Sequence, residues 1–284
     1  MKITREKVYY QFLHGIEPQI TISSGDRITV ETLDAWGGMY LDGFEYVRPN
    51  PATGPIYVNG AMPGDTLEIE IHDIKITGRG FLHVPDGTDR VKIEVDALPD
   101  GNLFVLNNNK TYPARPMIGV IGTAASPNIP GEWFSVETDN HGGNMDNNAV
   151  TAGIKLYLPV FVEGGLLGMG DIHAIMGDGE VFGQGVEICA DVDITVTVRK
   201  DMKINRPLVI SDEFISTAAS AGTMETAGEL AISDMRRILE TYYGMSPVDA
   251  SLAIAFYGNL RVCQIVNPQK TMRMEIRKDV KDLF

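Results

Sequence analysis

Up to about residue 200 the apolar and polar side chains mostly alternate, the period-two pattern of strands that rest one face on a core. Residues 27–31 read Arg-Ile-Thr-Val-Glu and 67–71 read Leu-Glu-Ile-Glu-Ile; the first follows the pair Gly25-Asp26 and the second the pair Gly64-Asp65. This echo has two readings, a duplicated hairpin or two uses of a common turn before a strand. Further strands are predicted over 90–95, 103–106, 118–121, 154–162, 166–173 and 185–199. Gly164-Gly165, between two apolar runs, predicts a hairpin turn, because glycine reaches positive φ without steric cost. Asp191 to Val198 alternates without a break, as in an antiparallel sheet with one face solvated. The acidic positions Glu68, Glu70, Asp191 and Asp193 are expected on such solvated faces.

The period changes after Pro207. Leu230, Met235, Ile238, Leu239 and Tyr242 recur at helical spacing within 226–243, and Gly244 follows as a C-cap. Ser246-Pro247-Val248-Asp249 has the form of a capping box with proline at N1, opening a short helix over 250–257. Strands are predicted again over 260–266 and 271–276. The chain therefore divides into a β-rich body, about 1–205, and an α+β tail, about 206–284. No Pro/Ser-rich linker separates them, so they are expected to pack as one domain.

Composition narrows the class. In 284 residues there are 24 Lys+Arg against 38 Asp+Glu, a formal net charge of −14. That balance argues against a nucleic-acid or anionic-membrane surface, which needs clustered cations. The two cysteines, Cys189 and Cys263, are too few for a disulfide scaffold, and both lie in apolar, strand-like surroundings where a thiol acts as a small hydrophobe. The start carries no signal-peptide pattern, and the longest mostly apolar run, 156–170, is too short and glycine-rich to span a bilayer. A cytoplasmic protein is expected. Glycine is in excess: 30 of 284, where average usage is about 7%.

The candidate chemistry lies where those glycines gather. His14, His72 and His83 stand alone, but His141 and His173 each close an Asp-x-His pattern, Asp139-Asn140-His141 and Asp171-Ile172-His173. On a strand, positions i and i+2 share a face, so Asp171 and His173 should project together. Asn144, Asp146, Asp178, Glu180 and Glu187 surround them in glycine-rich segments. Imidazole with carboxylates is ordinary ligand chemistry for a catalytic divalent metal, although solvated turn residues would give the same composition. Trp36 and Trp133 flank glycine turns, as a substrate wall or as partly buried packing. There is no Gly-x-Ser-x-Gly elbow and no phosphate-binding glycine loop.

Taken in order, the segments His141-Gly-Gly-Asn-Met-Asp146, Gly170-Asp-x-His-Ala and Gly177-Asp-Gly-Glu180 resemble the acetamidase/formamidase family. So do the stretch from Asn50-Pro-Ala-Thr-Gly-Pro to Gly64-Asp65, Met117-Ile-Gly-Val-Ile-Gly122, and Asn259-Leu-Arg-Val-Cys-Gln-Ile-Val-Asn-Pro268. At Asn267 the family tends to carry Asp. The resemblance implies a mainly β fold with a β-sandwich-like core of antiparallel sheets and α+β additions. It also implies hydrolysis of a short linear amide to carboxylate and ammonia, a homo-oligomer, and a divalent metal, zinc first and Ca²⁺ or Mn²⁺ behind it. Carried onto this chain, His141, Asp146, Asp171 and His173 would be metal ligands; Glu180 or Asp178 would be the general base, Asn144 an oxyanion donor, and Glu187 a further catalytic carboxylate. The competing class is a non-catalytic β-sandwich module holding Ca²⁺ and a small ligand. A histidine among the ligands counts against it, because calcium prefers oxygen.

Overall fold

A computed structural model describes residues 1–283. The chain is mainly antiparallel β, with its strands joined in one continuous hydrogen-bonded network. Two long strands form the spine. Thr66–Asp86 pairs antiparallel with Glu187–Arg199 over most of its length, and Glu187–Arg199 pairs on its other side with Asp26–Thr32. The alternation read in the sequence holds here: Val192, Ile194 and Val196 are fully buried, and Asp191 and Asp193 face outward to Lys2, Arg5 and Arg27. Burying each such side chain contributes about 1.5–3 kcal/mol, which fixes the register, since a one-residue slip would bury the aspartates instead. Glu68 departs from the expectation of a solvated face. It is buried and bound by Lys155 and Arg199, because the strand Ile154–Pro159 packs alongside it.

The two Gly-Asp turns share one chemistry. Asp26 accepts a hydrogen bond from the Ser23 N–H at 2.8 Å and Asp65 from the Met62 N–H at 3.0 Å, each folding back three residues. Gly164-Gly165 does turn with positive φ at both residues, but it closes no hairpin. Ile154–Pro159 pairs with Thr66–Asp86 and Leu208–Ile210, whereas Leu167–His173 pairs with Met117–Gly122, Ala52–Val58 and the start of Glu187–Arg199. The glycine pair carries the chain between two parts of the sheet.

Besides several strands of two to four residues, two longer ones, Ala52–Val58 and Phe214–Ala221, escape the period-two reading. The first contains Gly54 and Pro55, and the second is built largely of Ser, Thr and Ala, so neither shows an apolar alternation. In the tail, the helix Met224–Tyr242 is capped by Thr223, whose side chain accepts from the Thr226 N–H. It buries Ala227, Ala231, Met235, Ile238 and Leu239 against Phe214–Ala221 and Lys270–Arg277, while Tyr242 stays exposed and reaches the Lys203 backbone. The second helix, Pro247–Tyr257, starts as its capping box predicts, with Ser246 accepting from the Asp249 N–H at 3.1 Å. These helices close a second apolar cluster beside the main one between the long strands. Among the described residues no helix is long and apolar enough to cross a membrane.

Candidate metal and active site

The strand Leu167–His173 is buried at every position and runs beside Met117–Gly122. At its end His173 stands opposite Glu187, the first residue of the next strand. Cross-strand partners share a face. His173 Nε2 accordingly lies 3.3 Å from Glu187 Oε1 and 3.5 Å from Asp171 Oδ1. Glu187 Oε2 accepts from the Ala35 N–H at 3.1 Å, which fixes that carboxylate. Gly185 makes room for the imidazole: a Cβ there would lie 2.4 Å from His173 Cγ.

Met117–Gly122 has Leu167–His173 on one side and Gly142–Asn144 on the other, so Gly119 sits between Asp171 and Asp146. A Cβ on Gly119 would lie 2.8 Å from Asp146 Oδ1 and 2.8 Å from Asp171 Oδ2. The missing side chain lets two carboxylates close over one strand. Asp146, Asp171, Glu180 and Asn50 all hold positive φ, four of the seven non-glycine residues that do. Each left-handed residue costs about 1–2 kcal/mol, so backbone strain is concentrated here.

Amides brace the carboxylates. Asn50 Nδ2 donates to Asp171 Oδ2 at 2.9 Å, and Asn267 Nδ2 donates to Asp146 Oδ2 at 3.3 Å. In the orientation that satisfies its neighbours, the Asn144 amide nitrogen donates to Asp146 Oδ2 at 3.1 Å and to Asp171 Oδ2 at 3.2 Å, and its oxygen accepts from Asn267 and Asn50. No lysine or arginine forms an ion pair with Asp146, Asp171, Glu180 or Glu187 among the described residues. Burial first, and then the neighbouring charge of Asp171, pushes Glu180 and Glu187 up to about 7, with His173 pulling the other way. Asp146 is driven well above the ordinary carboxylate range by burial, then by Glu180 and Asp171. For His173, burial disfavours the cation, but the charges of Glu187 and Asp171 outweigh it and hold the ring well above the usual histidine range.

Asp146, Asp171 and His173 each offer a ligand atom within 4.8 Å of the others. Asp171 Oδ1 and His173 Nδ1 are buried without a hydrogen-bond partner. Buried acids with no lysine or arginine partner among the described residues, together with an open oxygen and an imidazole, fit a divalent cation. The cluster forms one wall of a cavity of about 210 Å³ whose lining includes Asn144, Asp171, Glu180 and Glu187, with Trp36 and Tyr46 also on its wall. Trp36 is held there by Asp34, whose buried carboxylate accepts from the N–H groups of Trp36 and Gly38. Trp36 is thus both wall and packing, its ring also meeting Phe81 edge-on.

Two expected site residues lie elsewhere. His141 is not brought to the cluster. Its ring packs against Phe12 and Trp133 at 5.4 and 5.6 Å between centroids, and burial among apolar groups pushes it down to about 3. Asp178 is bound bidentately by Arg273, at 2.8 and 3.0 Å, and does not line the cavity. Its neighbour Gly179 bonds through its backbone to Cys263 and Ile265, so this segment is stapled to the tail and delivers Glu180 inward. Sequence reading missed Gly119, Asn50 and Asn267 as site residues. All three stand in the quoted segments that resemble the family, but nothing in those segments marked them as site residues.

The acetamidase/formamidase family model matches residues 131–228. A predicted acetamidase/formamidase from the thermophile Thermoanaerobacter tengcongensis superposes with a TM-score of 0.90 at 34% identity, covering 100% of this chain and 97% of that one. An acetamidase from Bacillus halodurans gives 0.88 at 34% identity, over 98% and 97%. A formamidase from Methylophilus methylotrophus is 27% identical over 63% of this chain and 61% of its own length, so the chain spans less than two thirds of that relative. Similarity at this level over nearly the whole fold, with the buried Asp-x-His strand inside the matched region, places the chain in the acetamidase/formamidase family.

Proposed function

We propose that the chain hydrolyses a primary amide to a carboxylate and ammonia in the 210 Å³ cavity. The observation that carries this reading is the wall of that cavity: Asp171, Glu180 and Glu187, buried with Asp146 around His173 without a lysine or arginine partner. The names of the relatives, formamidase and acetamidase, point to the same chemistry.

In this reading Asp146, Asp171 and His173 would hold the divalent cation. A nitrogen ligand beside two carboxylates favours zinc over calcium, with manganese between. Such an ion, when bound, polarises a carbonyl and lowers the pKa of water. The chain's own residues do the rest. Glu180, near 7, takes a proton as water oxygen bonds to the amide carbon, and returns it to nitrogen as the C–N bond breaks. Glu187 positions His173 through Oε1. The Asn144 amide, committed to Asp146 and Asp171, holds those carboxylates in place.

Ammonia release from formamide, acetamide and propionamide tests the proposal. Turnover of at least one is expected. No ammonia from any amide, together with tight Ca²⁺ binding, would establish the binding module instead.

A further inference from the structure

The reaction cavity does not end at the carboxylates. A second cavity of about 280 Å³, lined by Tyr10, Arg48, Pro49, Phe134, Ser135 and Val136, shares Pro49 and Val136 with the first. Two chain segments build both. At their inner ends, Asn50 holds Asp171, and Val136 lines the reaction cavity beside Asn144. At their outer ends, Arg48 and Phe134 form the second cavity, two residues away along each segment. The second cavity thus adjoins the first across Pro49 and Val136, on the path of a tail that leaves the reacting carbon in that direction.

The chemistry of that space is apolar and aromatic. Phe134 and Tyr10 supply rings, and the Arg48 guanidinium lies over the Phe134 ring, 5.2 Å from its centroid. Among the described residues Arg48 has no carboxylate within ion-pair distance. A stacked guanidinium adds a flat, weakly hydrated wall rather than a charge bound to a neighbour. Size points the same way. A two-carbon amide needs only a few water volumes, ~100 Å³ at about 30 Å³ each, and leaves the second cavity unfilled.

We infer that the preferred substrates are primary amides with a bulky apolar acyl group, an aryl-alkyl or medium alkyl chain, bound with the carbonyl at the carboxylate cluster and the tail between Tyr10, Arg48 and Phe134. The inference rests on the amidase reading above. Each added apolar group in such a pocket raises specificity, because its contacts are kept in the transition state.

The test compares kcat/KM for acetamide, hexanamide and phenylacetamide in the native protein and in the variants Phe134→Ala and Arg48→Ala. The expected result is a kcat/KM at least about tenfold higher for the two larger amides than for acetamide. Phe134→Ala should remove most of that advantage through KM. Arg48 is exposed, so Arg48→Ala should fold normally and lower the advantage by a smaller factor. Acetamide turned over as well as or better than the larger amides overturns the inference and leaves the amidase reading standing. So does an advantage that neither variant diminishes. No ammonia from any of the three overturns both.

Discussion

The two Asp-x-His segments start from the same pattern and bury their histidines equally, at 1% exposure, yet those histidines end in opposite electrostatic states. His173 is ringed by Asp171, Glu187 and, through them, Asp146 and Glu180, and its positive charge is favoured. His141 meets Phe12 and Trp133, and its positive charge is excluded. What differs is the neighbouring strand. The Asp171 segment continues a buried strand whose end pairs with Glu187, whereas Asp139 lies on the short strand Thr138–Asp139 and His141 follows in the turn before Gly142–Asn144. The motif supplies candidate ligands, and the pairing partner decides which of them gathers charge.

The same contrast separates Asp178 from Glu180, two residues apart. Asp178 has Arg273 and serves as an anchor; Glu180 has only other acids and His173 around it. Replacing Glu180 should therefore give the largest effect. Glu180→Gln is expected to keep the fold and lose ~10²–10⁴ in kcat. Steady-state ammonia release beside a thermal melt checks this, and near-normal turnover would remove Glu180 from the proton-transfer role.

Gly119→Ala probes how the charged region is assembled. A Cβ 2.8 Å from both Asp146 and Asp171 must push the carboxylates apart. A loss of roughly 10–100-fold in cation affinity is expected, read by competition with a chromogenic chelator. Unchanged affinity would mean that the two carboxylates need not close over the glycine.

The pH dependence of stability should separate the two histidine regions by sign. The folded His141 titrates near 3 and an unfolded histidine near 6.5, so below 6.5 the unfolded chain binds the extra proton and stability falls with pH. Between pH 7 and pH 5 the loss is about 2 kcal/mol, and it should vanish in His141→Phe, measured by urea unfolding at both pH values. The carboxylates behave in the opposite way in cation-free protein. Glu180 and Glu187 titrate near 7 when folded, above their ordinary 4.5, so the native state keeps protons the unfolded chain has released. That contribution is present below about 4.5 and is lost as pH rises to about 7. Chelated protein should thus lose stability between pH 5 and pH 8 and regain it on adding a divalent cation.

Much of this was legible in the chain. Period two located most strands, capping signals placed both helices, and the Asp171–His173 pair was readable because a strand returns to the same face every second residue. Glu180 and Glu187 were named from their setting among glycines. The rest depends on register. Gly119 matters only because its strand runs between Leu167–His173, which carries Asp171, and Gly142–Asn144, which leads into Asp146, and Asn50 and Asn267 reach these carboxylates from 121 residues away in sequence. Ala52–Val58, which carries a flank of the site, hides behind a glycine and a proline. His141 was misplaced for the same reason: its motif is local, but its aromatic neighbours come from distant segments.

Amide hydrolysis as proposed requires that the carboxylates around His173 bind a divalent cation. Metal content measured by inductively coupled plasma mass spectrometry on active protein, before and after chelation and in Asp171→Asn, tests it most directly. The expected result is close to one divalent ion per chain, lost together with activity on chelation, restored by adding the metal back, and absent from the variant. Fully active protein with no bound metal would contradict it.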